Sequence, residues 1–68
     1  MILTTELRAE IARQGLSQRK MAKMLGISEK TFYEKMKKGI FLSNEMEDMI
    51  HILNLKNPAE IFFAHSVT

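Results

Sequence analysis

Between Arg13 and Lys38 the chain carries eight basic residues, Arg13, Arg19, Lys20, Lys23, Lys30, Lys35, Lys37 and Lys38, against two acidic ones, Glu29 and Glu34. That stretch has a net charge of +6, whereas residues 1–12 sum to −1 and residues 39–68 to −3. A charge distribution of this kind suits electrostatic capture of a polyphosphate on one side of the molecule. Bond-making chemistry has little to work with. Cys is absent, so there is no thiol nucleophile, thiolate metal site or disulfide framework. His51 and His65 stand alone, without a carboxylate cluster at ligand spacing. No Ser/His/Asp set, carboxylate pair in a cleft or phosphate-cradling Gly loop is present, so no enzyme activity, metal or other cofactor is expected.

The elements that must position these cations are two short helices. Ser17 and Ser28 each precede a helix-compatible run, and a hydroxyl at such a place caps an orphan backbone N–H. Between them, Gly26 can take positive φ and reverse the chain, and Ile27 can pin the turn to a core. Met21 and Leu25, then Phe32 and Met36, give each helix one apolar stripe at i, i+4. Ala22 leaves room for two helices to meet just past the turn. Helix, Gly-containing turn and steeply crossing second helix together make a helix-turn-helix over residues 17–38.

These residues resemble a family. Leu16-Ser17-Gln18, Met21-Ala22, Leu25-Gly26-Ile27-Ser28 and Thr31-Phe32 are similar, position by position, to the Cro/repressor-type (XRE) helix-turn-helix of short phage and prophage regulators. One departure is Lys35, where most members have an apolar residue; here the apolar residue, Met36, comes one later. The resemblance implies an all-α, five-helix bundle of the lambda-repressor-like type. It also implies a helix over residues 29–38 that enters the major groove of double-stranded DNA. Glu29, Lys30, Tyr33 and Glu34 would then face base edges. Lys30 can donate to guanine O6 and N7, and a carboxylate can accept from cytosine N4. Glu29 and Glu34 also have structural readings, the first as a complement to the helix dipole and the second as an i, i+4 partner of Lys30 or Lys38. Phosphate contacts would fall to Ser17, Gln18, Arg19, Lys20, Thr31, Lys37 and Lys38. Arg19 and Lys20 stand out physically, because the first turn of a helix favours acids, and a phosphate there would reverse the preference.

Support segments complete the reading. Thr4 or Thr5 can cap a first helix of about residues 5–14, with Leu7 and Ile11 inward and Gly15 ending it. Ser43 is the expected cap of a helix over about residues 43–54, with Met46, Met49, Ile50 and Leu53 as its apolar stripe. Asn57-Pro58 starts a short helix to about residue 63. Its Ile61 and Phe62 are expected in the core, with Phe63 partly exposed. His65 to Thr68 reads as a frayed end.

A chain of 68 residues is expected to form one domain and to bury only about 60% of its unfolded surface. No apolar run reaches the length of a membrane span or of a secretory leader, and a cytoplasmic location is expected. The reading that unites these features is a sequence-specific DNA-binding transcriptional regulator, a Cro-like small repressor. It would work as a homodimer on two operator half-sites, with Ile40, Phe41, Ile61 and Phe63 as candidates for the dimer interface. At least one of Ile40, Phe41 and Leu42 should be buried instead. The alternative is a protein-interaction module, an antirepressor that binds a larger repressor rather than DNA.

Overall fold

A computed structural model describes residues 2–63, and the tail from His65 onward lies outside them. Five α-helices follow one another: α1 (Thr4–Arg13), α2 (Gln18–Leu25), α3 (Glu29–Lys38), α4 (Ser43–Leu53) and α5 (Pro58–Phe62). No strand occurs among the described residues, and none of their helices is long and apolar enough to cross a membrane. The all-α bundle expected from sequence is the one that forms.

α1 and α3 contribute the stripes their spacing predicts, whereas Leu25 of α2, Met46 and Ile50 of α4 and Ile61 of α5 are only partly buried at the edge of the core. Leu7 and Ile11 from α1, Met21 and Ala22 from α2, and Phe32 and Met36 from α3 meet Met49 and Leu53 from α4 and Phe62 from α5. Ile2 closes this core beneath α1, and Leu3 stays at the surface. Of the three apolar residues after Gly39, only Phe41 turns inward, where its ring lies 5.6 Å from that of Phe32. Phe41 is 6% exposed, so it leaves the set of surface candidates: burial of one large ring offsets the exposure of its two neighbours. The chain is also stitched end to end, since the Leu3 N–H donates to the Ile61 carbonyl at 2.7 Å.

Helix ends follow one rule at their C-termini and two at their N-termini. α1 to α4 all finish with the paired backbone bonds of a residue in left-handed conformation, Gly15, Gly26, Gly39 and Asn54 in turn. At the N-termini, Ser17 and Ser28 cap as expected. Thr4 and Ser43 do not. Both fall inside their helices, the cap positions belong to Leu3 and Leu42, and neither supplies a side-chain bond. For α4 the substitute comes from three residues on, where Glu45 Oε1 accepts the Leu42 N–H at 2.8 Å. This is half of a capping box, and it places a carboxylate where the helix dipole favours one.

Gly26 has φ +77°, and a methyl built on it would meet nothing within 4 Å. Gly26→Ala is therefore expected to destabilise through backbone conformation alone, by about 1–2 kcal/mol. Urea unfolding followed by circular dichroism measures this. A loss well above that range would mean that the turn is more crowded than its surroundings show.

Candidate nucleic-acid interface

α2 and α3 each begin with a serine cap. Ser17 Oγ accepts the Lys20 N–H at 3.0 Å, and Ser28 Oγ accepts the Thr31 N–H at 3.1 Å. The Ser28 hydroxyl in turn donates to Thr31 Oγ1 at 2.9 Å, which fixes the Thr31 rotamer at the edge of the helix. Arg19 Nε, in the first turn of α2, lies 4.0 Å from Glu29 Oε1, in the first turn of α3. That contact answers part of the question raised by a cation at a helix N-terminus. Arg19 is opposed by the neighbouring helix, while Lys20 beside it has no ionic partner among the described residues.

The register of α3 sorts its side chains. Phe32 and Met36 point into the core, and at 100° per residue the opposite face belongs to Lys30, Glu34 and Lys37, with Tyr33 and Lys38 to either side. All five are exposed. Among the described residues none of Lys30, Glu34, Lys37 and Lys38 forms an ion pair, so Glu34 does not take the i, i+4 partnership with Lys30 or Lys38 that its spacing allows. Glu29 has a partner, Arg19, which no local rule of helix spacing would select. The outward face of α3 is therefore a row of uncompensated charges, mostly positive, beside the cations of α2.

Gln18, at the first position of α2, is half-buried, and its Oε1 is enclosed without a hydrogen-bond partner. The Nε2 end, a double donor, is not among the enclosed unpaired atoms. Donors suit a phosphate.

Lys35 behaves unlike the other lysines of the helix. Its Nζ lies 2.7 Å and 2.6 Å from the two carboxylate oxygens of Glu45. Glu45 is 4% exposed, the one charged residue in the core of the described chain. Lys35 stands among the cations of the last turn of α3 and Glu45 in the first turn of α4, and no spacing within either helix joins them. The available clue was the displaced apolar position, because a lysine on the flank of a buried stripe calls for an anion within reach.

The remaining candidates scatter. Ile40 and Leu42 are 65% and 59% exposed, Phe63 is half exposed, and Ile61 is partly buried against the core. His51 lies exposed on α4, and no group of three potential metal ligands occurs among the described residues.

Ser28→Ala removes both the cap of α3 and the anchor of Thr31, and is expected to cost about 1 kcal/mol, read as a lower midpoint in thermal unfolding. An unchanged midpoint would show that solvent caps the helix equally well.

Comparison with known proteins bears on this geometry. No curated protein and no solved structure matches the chain. A family model does, over residues 6–39, from the first turn of α1 through the glycine that ends α3. Those residues are half of the chain and hold the capped, glycine-turned helix pair with its row of outward charges. They supply a helix-turn-helix of the DNA-binding regulatory kind, and the chain belongs to the family of bacterial regulatory proteins described as the Fis family.

Proposed function

We propose that this protein is a sequence-specific transcriptional regulator that lays α3 in the major groove, and that it acts as a small repressor in the manner of the Cro-like proteins its motif resembles. The observation that carries the reading is the outward face of α3, where Lys30, Glu34 and Lys37 stand exposed and unpaired beside the cationic start of α2. In this arrangement Lys30 donates to guanine, Glu34 accepts from cytosine N4, and Tyr33 offers its ring to a thymine methyl. Lys20, Lys37, Lys38 and the Gln18 amide hold backbone phosphates, with Arg19 shared between phosphate and Glu29. Glu29 is then a moderator of affinity more than a reader of bases.

One domain of this size makes few base contacts, and pairing two copies on a two-fold symmetric operator multiplies both affinity and specificity. A long axis of 33 Å is compatible with two touching copies whose reading helices lie about 34 Å apart, one turn of the duplex. Ile40, Phe63 and Ile61 remain the proposed contact residues, and Leu42 joins them by its exposure. A cytoplasmic site of action follows from the proposed DNA target.

Selection from random duplexes, followed by fluorescence anisotropy across a range of salt, tests the reading. An enriched symmetric site with log K falling linearly against log[salt] supports it, and sequence-blind binding or none overturns it. On the enriched site, Lys30→Ala should cost about 1–3 kcal/mol and relax preference at one position. Lys37→Ala should weaken binding to every duplex alike and lower the salt slope by about 1.

Glu29→Gln should act in the opposite sense. Releasing Arg19 adds one cation to the surface, so affinity for any duplex rises and the slope steepens by about 1. Weaker binding by this variant would assign Glu29 a base contact instead.

A further inference from the structure

We propose that the Lys35–Glu45 ion pair is a positioning device for the reading helix, fixing the rotation of α3 about its own axis and the path of the connector that follows it. The inference rests on the reading of α3 as the DNA-contacting helix.

Both ends of Lys35 hold the connector. Its carbonyl accepts the Gly39 N–H at 2.8 Å and the Ile40 N–H at 3.1 Å, closing the end of α3. Its ammonium reaches Glu45, and one oxygen of that carboxylate also accepts the Leu42 N–H. Residues 35–45 thus form a closed node joining the last turn of α3, the connector and the first turn of α4. Backbone packing contributes less here: α2 packs closely against both α3 and α4, whereas α3 and α4 meet through side chains. Phe32 and Met36 seat one side of the helix on the core, and the ion pair is the polar link that fastens its flank to the first turn of α4.

Stability is a poor reason for such a pair. Withdrawing two charges from water offsets most of their attraction, and apolar replacements of similar volume often serve as well. Orientation is a better reason. Lys35 directly follows Glu34 and precedes Lys37 and Lys38, so a small rotation at Lys35 moves all three across the face offered to DNA. An apolar contact on this flank would resist it only through packing, without direction. A carboxylate gripping the ammonium with both oxygens while capping α4 resists it.

The double variant K35M/E45Q tests this, because Gln retains the bond to the Leu42 N–H while the ion pair is gone. Two readouts are compared with the wild-type protein: the α3–α4 angle from residual dipolar couplings, and the ratio of affinities for the selected and a scrambled duplex. A changed angle with at least about a tenfold loss of discrimination, the worth of one misaligned base contact, is the expected result. An unchanged angle, or a changed angle with full discrimination, overturns the inference while the DNA reading stands. Absence of discrimination in the wild-type protein overturns the DNA reading, and this inference with it. Lys35→Arg keeps the charge pair and should keep the wild-type ratio. A loss of discrimination there would show that the lysine acts otherwise than through Glu45. Equal thermal midpoints for wild type and double variant would place the effect in orientation rather than folding, and a double variant that is largely unfolded would overturn the inference by making the pair a folding requirement.

Discussion

The angle between α2 and α3 depends on a methyl group. Ala22 is buried one turn before Gly26, and its carbonyl accepts the Ile27 N–H at 3.0 Å just past the turn. A larger side chain would drive the helices apart, and without the left-handed residue the chain could not reverse within three positions. Nearly everything of functional interest descends from that close approach. It brings Arg19 within reach of Glu29, while the face of α3 opposite Phe32 and Met36 stays exposed. The other helices hold this unit through the core they share with it.

Charge in the protein is used in three physically different ways, although the residue types are the same. On the outward face of α3, charges remain solvated and available, because nothing nearby opposes them. Between Arg19 and Glu29 they meet at the edge of contact in full solvent, where attraction is small and easily exchanged for a stronger anion. Between Lys35 and Glu45 they are largely withdrawn from water and fixed by three hydrogen bonds. Burial separates a group that can recognise a ligand from one that can only hold shape.

The parts of the fold that could be read from the sequence are those decided within a few residues. Caps at Ser17 and Ser28, the stops at Gly26 and Gly39, and the stripes Leu7/Ile11 and Phe32/Met36 each depend on one turn of helix, and each appears where spacing places it. Thr4 and Ser43 were misread because a good cap residue is equally at home one position inside a helix. At α4 the choice was settled by Glu45, a residue already committed to Lys35 ten positions away. The site shows the same division. The period of α3 shows its buried stripe, and the resemblance implied which residues face outward, but the partners of Glu29 and Lys35 come from other elements, and no local rule contains them. Phe41 was one of three adjacent apolar residues, and only the position of Phe32 selects it for the core.

The bond between Leu3 and Ile61 has a consequence for the order in which the molecule assembles. It closes a loop of almost the whole described chain, whereas the contacts that build the helix-turn-helix join residues close in sequence. Loop closure is entropically costly and is repaid only by contacts made afterwards, so the reading unit can organise before the two ends meet. Opening runs in reverse. Fraying at Leu3 and α5 would release the seam first and leave α2 and α3 paired, with Ile2 lying against the glycine that ends α3 as the point where the seam meets that pair.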